Sequence, residues 1–370
     1  MNVLPSNLIV PPRTLTGRGR LAALLPEASR FGPRGILVHG RSSSVSGVTE
    51  RVLSKIPPGA SVKCWRHSGG EPTLGQVDEL LEAVRSHDAS WVAGIGGGSV
   101  MDLAKAAAGL RHARRAPAAY HDGAALERPG IPFIAAPTTA GTGAEATLNS
   151  VLTNERTGQK KSIRDDSLMP RLVILDADLL ATCPPDVVAA SGLDALTQAV
   201  EAFTSRHATW LSDQLALRGL GLIAANVESV FAGARDTAAD ELLTGSYLAG
   251  LALSMARLGV VHGLAHPLGT RYHAAHGIVC AVCLPLAIEM NRATVGPKYD
   301  AMSRAAGGDL LARTRQLLDR LAIRSPFQGQ ALTDREGIVA ETLASGSTAA
   351  NPKAVSAEDV EELLRRLFEA

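Results

Sequence analysis

The pattern of apolar and polar positions changes near residue 180. Before that point, short apolar runs alternate with stretches of helical periodicity. We predict four buried strands, at residues 35–38, 91–93, 131–135 and 172–175. Helices are predicted between them, at residues 77–86 and 99–110. Strands that alternate with helices indicate a parallel sheet with crossover helices, which makes a layered α/β domain.

After Asp178 the apolar positions recur with a helical period, and Pro184 and Pro185 interrupt the chain at the change. Few β-branched runs follow, so helices should form the rest of the chain. We predict six of them, at residues 186–205, 212–231, 238–256, 278–291, 310–321 and 357–368. The sequence therefore predicts an α/β domain over residues 1–183 and an all-α domain over residues 184–370.

The composition fits two ordinary globular domains. A chain of 370 residues is long enough for two cores, and 46% of its residues are apolar. The 37 basic and 36 acidic side chains nearly cancel, which excludes a general attraction to nucleic acid or anionic lipid. No apolar run approaches the roughly 18 residues of a membrane span, and residues 1–20 lack the apolar core of a secretion signal. We expect a cytoplasmic protein that binds neither nucleic acid nor membranes.

The four cysteines are too few and too scattered for a disulfide framework, so we expect free thiols. Two of them, Cys280 and Cys283, form a CxxC motif inside the apolar run 277–287. The favoured interpretation is two core positions of a helix. A metal-binding or redox role is the alternative.

A glycine cluster follows the predicted strand at 91–93 and precedes the predicted helix at 99–110. Its residues are Gly96, Gly97, Gly98 and Ser99. Glycines let the backbone approach a pyrophosphate closely, and the first N–H groups of a helix favour negative charge. Ser99 would cap the helix or contact a phosphate. The cluster therefore predicts an anion site, although a plain tight turn would have the same composition.

A second loop, at residues 137–143, favours the anion site over the plain turn. It also follows a predicted strand, and it offers the hydroxyls of Thr138, Thr139 and Thr142. Ligands of open α/β sheets bind beyond the carboxyl ends of the strands. Two such loops on one sheet indicate a bound dinucleotide.

The end of the first predicted strand indicates which dinucleotide binds. The strand at 35–38 leads through His39 into Gly40, Arg41 and three serines, Ser42, Ser43 and Ser44. No carboxylate is present to pair with a ribose 2′-hydroxyl, whereas an arginine and serines can hold a 2′-phosphate. NADP(H) is therefore favoured over NAD(H). The alternative is a serine-rich surface turn.

In the predicted helical domain, Asp194 and Gln198 are four residues apart, so they share one helix face. His262 and His266 repeat this spacing, and His276 follows ten residues later. Three histidines and an aspartate supply the nitrogen and oxygen ligands that zinc or iron prefers. Such a metal would polarise the oxygen of an alcohol or aldehyde, and an unliganded histidine would relay the proton. Taken singly, each histidine could instead be a hydrogen-bonded core or surface residue.

Four segments, in order, resemble the iron-containing (group III) alcohol dehydrogenase family over nearly the whole chain. They are Gly-Gly-Gly-Ser99 with Asp102 and Lys105, the segment 137–145, the segment 192–197 and the segment 261–269. The tail at 348–352 also resembles the closing motif of the family. The resemblance implies a dinucleotide-binding domain, a helical domain, a metal in the cleft between them and a homodimer.

The resemblance also assigns roles to single residues. Asp194, His262 and His276 match metal ligands, and His266 matches a non-ligand histidine suited to proton transfer. Five positions match cofactor contacts, namely Thr138, Thr139, Thr142, Asn149 and Lys160, and Asp102 after the glycine cluster is a further predicted cofactor contact. Gly40 falls where NAD-preferring members tend to have an aspartate, which agrees with the NADP(H) prediction.

One position departs from the family pattern. Gln198 stands where typical iron-dependent members have a second helix histidine, and a neutral amide is a poor ligand for borderline cations. Three interpretations stay open: iron held weakly with Gln198 in the ligand set, zinc held by Asp194, His262 and His276 with water, or no metal.

The predicted function is hydride transfer between NAD(P)H and a small alcohol or aldehyde. One alternative is a lyase on the same fold, similar to dehydroquinate synthase, in which the first metal position is usually a glutamate; here it is Asp194. Others are a metal-free reductase and a non-catalytic nucleotide-binding relative.

Overall fold

The computed structural model describes residues 2–369, except for the side chains of Ser44 and Val45. The described chain forms two compact units. An α/β unit consists of Ile9–Thr139 and Gly143–Cys183. A helical unit contains the chain from Pro184 onwards, the short segment Ala140–Thr142 and the N-terminal segment up to Leu8.

The α/β unit is built on a six-stranded parallel sheet with the strand order β1-β8-β5-β4-β2-β3. An antiparallel hairpin, β6-β7, forms a second sheet. The strands are β1 Thr14–Thr16, β2 Arg34–His39, β3 Ser61–Arg66, β4 Trp91–Gly96, β5 Phe133–Pro137, β6 Asn149–Thr153, β7 Lys160–Arg164 and β8 Leu172–Leu175. The predicted parallel sheet is confirmed.

Helices connect these strands. They are α1 Leu24–Ala28, α2 Arg41–Val45, α3 Val48–Leu53, α4 Leu74–Ser86, α5 Gly98–Gly109 and α6 Pro117–His121. Short 3₁₀ helices lie at Arg20–Ala23, Ser29–Phe31, Leu110–His112, Ala144–Ala146, Asp166–Leu168 and Ala177–Thr182. Helix α4 begins with a capping box, in which Thr73 and Gln76 each accept the other's backbone N–H.

The four predicted strands correspond to β2, β4, β5 and β8, whose residues are buried almost without exception. The sequence analysis missed β1, β3 and the hairpin. Strand β1 has three residues, and β3 has no buried residue along its length, so neither carries the apolar run that identifies a central strand. Both lie at an edge of the sheet, where backbone pairing with one neighbour is enough to define them.

Every described residue from Pro184 onwards that has regular structure is helical, so the all-α prediction is confirmed for this part of the chain. The helices are α7 Pro185–Thr204, α8 Trp210–Phe231, α9 Thr237–Ala256, α10 Val260–Tyr272, α11 His276–Val295, α12 Pro297–Ala305, α13 Leu310–Arg320, α14 Arg335–Ala344, α15 Gly346–Ala349 and α16 Ala357–Glu369. Four of these were not predicted: α10, α12, α14 and α15. In α10, Gly263, Pro267 and Gly269 weaken the helical signal of the sequence.

Helix α11 is long and apolar enough to span a membrane, and the bent pair α9 and α10 would also qualify as one broken span by length and composition. However, α11 packs against α7, α10, α13 and α16 and contributes Val279, Cys280 and Cys283 to the core of the helical unit. Its apolar character is therefore that of a core helix.

Candidate nucleotide loops and metal centre

The first glycine loop connects β4 to α5. Strand β4 ends at Gly96 and α5 begins at Gly98, so the loop lies at the carboxyl end of a central strand. A Cβ on Gly96 would lie 2.5 Å from Cβ of Val100, so only glycine fits there. The first N–H groups of α5 have no acceptor within the helix and lie at the positive end of its dipole. This geometry suits a pyrophosphate.

Ser99 does not cap this helix. The cap position is Gly97, and Ser99 lies inside the first turn of α5. The predicted capping role is therefore wrong, because the helix begins one residue earlier than its apolar periodicity indicated. A contact between Ser99 and a phosphate stays a prediction.

A buried lysine joins α5 to the segment that follows the second loop. Lys105 Nζ donates hydrogen bonds to the carbonyl oxygens of Ala144, Thr147 and Asn149, at 2.6, 2.8 and 2.9 Å. Burial lowers the pKa of Lys105 to about 8, and nearby Asp102 opposes this shift. Burial in turn raises the pKa of Asp102 to about 7, against the effect of Lys105. The pair therefore holds this segment in place, while a direct contact of Asp102 with a cofactor stays a prediction.

Thr138 and Thr139 follow β5 and lie beside the glycine loop. The Thr138 N–H donates a hydrogen bond to the carbonyl oxygen of Gly96 at 2.9 Å. The side chain of Thr139 lies 3.4 Å from the position that a Cβ on Gly97 would take. The structure thus brings these two threonines and the glycine loop together.

The other three predicted cofactor contacts do not form one group. Thr142 is exposed and belongs to the helical unit. Asn149 and Lys160 begin the two strands of the hairpin, and the antiparallel register puts them at opposite ends, about 14 Å apart along the strands. Lys160 Nζ forms an ion pair with Glu71 at 2.7 Å.

The junction that follows β2 is partly as predicted. Arg41 and Ser42 are exposed at the start of α2, where they can meet a ligand. Ser43 is buried, and its hydroxyl donates to the carbonyl oxygen of Ile95, so the prediction that it binds a phosphate is wrong. The side chain of Ser44 lies outside the described part of the chain. A Cβ on Gly40 would meet only Val100, at an ordinary 3.6 Å, so the fold does not require glycine there.

In the helical unit, three helices bring four possible metal ligands together. Asp194 on α7, His262 on α10, and His276 and Cys280 on α11 each present one ligand atom, and these atoms lie within 4.8 Å of one another. Asp194 Oδ1 lies 3.3 Å from His262 Nε2 and 3.8 Å from His276 Nε2. This oxygen is buried without a hydrogen bond. A buried carboxylate oxygen that faces two imidazole nitrogens fits a divalent cation.

Glu201 contacts His262 through the ring nitrogen that does not face Asp194. Its Oε2 lies 2.6 Å from His262 Nδ1, and its Oε1 accepts the Val261 N–H at 2.7 Å. Burial opposes a charged His262, yet Cys280, Glu201 and Asp194 hold its pKa well above the usual value. Burial likewise opposes the charge of Asp194, but His262 and neighbouring groups hold its pKa below the usual value. The positive charge of His262 and the negative charge of Asp194 thus compensate each other. A bound metal cation would take the place of the proton that charges the imidazole.

Gln198 and His266 lie next to this cluster. Gln198 is buried on α7, and a hydrogen bond from its amide helps to lower the pKa of Asp194, while its Oε1 has no hydrogen-bond partner. The half-buried ring of His266 stacks on that of His276, with 5.4 Å between the centroids. The structure thus brings together all five polar residues that the sequence analysis assigned to this site.

The sequence pattern gave no role to Glu201, and it favoured a core position for Cys280, with a metal-binding or redox role as the alternative. One signal was present: Asp194, Gln198 and Glu201 have the spacing i, i+4, i+7, which places them on one face of α7. His276 and Cys280 share a face of α11 by the same rule. Burial of Cys280 raises the pKa of its thiol to about 12.

Comparison with known proteins now adds to this geometry. A family model described as iron-containing alcohol dehydrogenase matches residues 11–177, and its C-terminal counterpart matches residues 188–368. The chain belongs to the iron-containing alcohol dehydrogenase family. The predicted family, the two-part architecture and the reaction class, nicotinamide-dependent oxidation of alcohols or reduction of aldehydes, are confirmed, and the lyase alternative is not favoured.

Individual relatives of this chain differ in the substrate that their names give. The chain is 31% identical to a lactaldehyde reductase of Escherichia coli over 97% of this chain and 99% of the relative. It is 37% identical to long-chain-alcohol dehydrogenase 1 of Geobacillus thermodenitrificans over 82% of this chain and 78% of the relative. The crystal structure of sulfoacetaldehyde reductase from Bifidobacterium kashiwanohense with NAD⁺ superposes with a TM-score of 0.91 and 27% identity, covering 98% and 99% of the two chains.

Proposed function

We propose that this protein is a metal-dependent aldehyde reductase and alcohol dehydrogenase that acts on small substrates and prefers NADP(H). The observation that carries the proposal is the cluster in the helical unit, where Asp194, His262 and His276 present ligand atoms within 4.8 Å of one another. A bound divalent metal, iron or zinc, supplies a Lewis acid that stabilises negative charge on the substrate oxygen. The three side chains would hold it, and Gln198 would orient Asp194 by hydrogen bonding.

His266 is the proposed proton donor to the substrate oxygen. It is half-buried, it stacks on His276, and it is not one of the four clustered ligands. An imidazole beside the reacting oxygen can donate a proton to the alcohol formed and accept one in the reverse direction.

The α/β unit would bind the cofactor. The N-terminus of α5, with Gly96, Gly97, Gly98 and Ser99, suits the pyrophosphate. Thr138 and Thr139 lie beside this loop, and Thr142, Asn149 and Lys160 are proposed as further contacts. The exposed Arg41 and Ser42 next to Gly40 would meet a 2′-phosphate, which is the basis for preferring NADP(H). A cytoplasmic location and a homodimeric assembly complete the proposal, and light scattering on the purified protein tests the assembly.

The test combines metal analysis with turnover. The purified protein should contain about one iron or zinc per chain, and it should oxidise NADPH with short aldehydes until the metal is removed by a chelator. His266→Gln should lower kcat by about 10²- to 10⁴-fold and change the pH profile, without changing the metal content. His207→Gln, at an exposed histidine of the same unit, is the control and should behave like the unmodified protein.

Two results would contradict the proposal. Turnover by metal-free protein would remove the metal from the chemistry and leave a reductase that relies on His266. Binding of NADPH without any oxidation across the aldehyde panel would instead indicate a non-catalytic nucleotide-binding protein.

A further inference from the structure

Cys280 lies four residues after His276 on α11, and both side chains face Asp194 and His262. The Cys280 Sγ is 3.6 Å from His276 Nε2 and 3.9 Å from His262 Nε2. The Cys280 side chain is completely buried, so contact with water does not explain why its sulfur lies here. Its sulfur therefore belongs to the same cluster as the ligand atoms of Asp194, His262 and His276.

We propose that Cys280 is the fourth protein ligand of the metal, in place of the histidine that Gln198 replaces, and that its thiolate makes this a zinc site. This inference rests on the proposed function, because it concerns the same metal centre. The proposed ligand set is Asp194, His262, His276 and Cys280, and it adds a sulfur ligand to one carboxylate and two imidazole nitrogens.

The distances between the ligand atoms agree with a tetrahedral zinc site. Bonds of about 2.0 to 2.1 Å to nitrogen or oxygen and about 2.3 Å to sulfur give tetrahedral edges of about 3.3 to 3.6 Å. Four of the six separations are 3.3 Å and 3.8 Å from Asp194 Oδ1 to His262 and His276, and 3.9 Å and 3.6 Å from Cys280 Sγ to the same two nitrogens. The other two are at most 4.8 Å. Small inward shifts would bring all four atoms onto one cation.

Charge balance favours the same ligand set. An aspartate and a thiolate together carry two negative charges, which neutralise a divalent cation, and neutrality matters because three of the four ligands are buried and His276 is half-buried. When the metal binds, the S–H proton of Cys280 leaves to solvent and the sulfur–metal bond forms. Thiolate ligands favour zinc, and zinc accepts a fifth ligand, so four protein ligands do not exclude a substrate.

Gln198 is the competing candidate for the fourth position. Its amide oxygen is buried without a partner, but it is a neutral ligand, and its amide hydrogen-bonds Asp194. We therefore assign Gln198 to the orientation of Asp194 and not to the metal.

The chain offers a matched control for Cys280. Cys283 is buried in the same helix and the same core, one turn further on, and it does not belong to the group of clustered ligand atoms. If Cys280 were only a core residue, replacing either cysteine would have the same consequence for the metal, namely none.

The experiment uses the full-length protein reconstituted with Co²⁺, which occupies zinc sites and reports sulfur ligation by a thiolate-to-cobalt charge-transfer band in the near ultraviolet. The unmodified protein, Cys283→Ala and Gln198→Leu should show the band, and Cys280→Ser should lack it. Zn²⁺ affinity, measured by competition with a chromophoric chelator, should fall by at least about tenfold in Cys280→Ser. No band in the unmodified protein, or a band that survives in Cys280→Ser, would overturn the assignment.

X-ray absorption on the zinc-loaded, unmodified protein needs no variant and provides an independent measurement. One sulfur neighbour at about 2.3 Å supports the assignment, and a first shell of nitrogen and oxygen alone refutes it. Failure of the proposed function gives a different result. A protein that shows the sulfur ligand but no NADPH-dependent turnover would support Cys280 as a ligand and refute the proposed enzymatic activity.

Discussion

Glu201 Oε2 lies 2.6 Å from His262 Nδ1, and this contact decides which ring nitrogen of His262 faces the cluster. A carboxylate only accepts hydrogen bonds, so Nδ1 carries a proton and Nε2 points towards Asp194 and Cys280. Carboxylates that hold a histidine ligand in this way orient the ring and raise its basicity. Glu201 is therefore a positioning residue of the proposed metal centre.

The first prediction concerns this contact. Glu201→Gln keeps an oxygen for the Val261 N–H, but its amide group can no longer accept the proton of His262 Nδ1. Zn²⁺ affinity should fall by about 10- to 100-fold, as measured by chelator competition. Asp213→Asn, which removes the partly buried ion pair between Asp213 on α8 and Lys298 on α12, should lower stability and leave Zn²⁺ affinity unchanged. Equal losses of affinity in both variants would refute the positioning role.

The second prediction concerns Lys105. Lys105→Met leaves three buried carbonyl oxygens without their donor, so the free energy of unfolding should fall by about 3 to 5 kcal/mol. The segment at Ala144 and Thr147 should loosen, and the Kd for NADPH should rise. Urea unfolding and fluorescence titration measure these effects. Lys161→Met, at an exposed lysine, should change stability by less than about 0.5 kcal/mol.

The third prediction is a pH dependence of stability. Burial raises the pKa of Glu145 from 4.5 to about 7, against the effects of its own backbone and of Lys105. Between these values the folded state holds a proton that the unfolded state has released. The Glu145 contribution to stability is therefore complete below pH 4.5 and is lost as the pH rises through about 7.

Glu145→Gln should remove this dependence. The unfolding free energy of the unmodified protein should fall, relative to the variant, by up to about 3 kcal/mol from about pH 5 to about pH 8. Denaturant unfolding at both pH values measures the difference. Glu82→Gln, at an exposed glutamate of α4, should track the unmodified protein at both pH values. A constant difference between Glu145→Gln and the unmodified protein would show that Glu145 does not titrate in this range.

The fourth prediction concerns cofactor preference. Gly40→Asp introduces a carboxylate beside Arg41, and the side chain fits because the nearest atom to the new Cβ lies at 3.6 Å. The carboxylate should repel a 2′-phosphate and accept a ribose 2′-hydroxyl, so the ratio of kcat/KM for NADPH to that for NADH should fall at least about tenfold. Gly40→Ala fills the same space without charge and should keep the original ratio. If both variants shift the ratio equally, shape and not charge sets the preference.

The sequence by itself determined the central strands, six of the helices that follow Pro184 and the polar residues of the proposed metal centre. Buried strands such as β4 and β8 are apolar runs, and the i, i+4 spacing of Asp194 with Gln198 and of His262 with His266 is a local property of a helix. The family resemblance assigned His262 and His276 as ligands and His266 to proton transfer, and the structure brings all of these side chains together in the helical unit.

Only the tertiary structure decided which buried groups face one another. Glu201 and His262 are 61 residues apart, and the crossing of α7 and α10 brings them into contact. Cys280 and Cys283 look alike in the sequence, because both are apolar positions of one helix, and the rotation of α11 alone directs Cys280 towards His262. The edge strand β3 was missed because none of its residues is buried, and the Ser43 hydroxyl is buried through a contact with Ile95 of β4 that lies 52 residues away in the sequence. Periodicity reports whether a residue is buried, but the neighbours across an interface depend on how the elements pack.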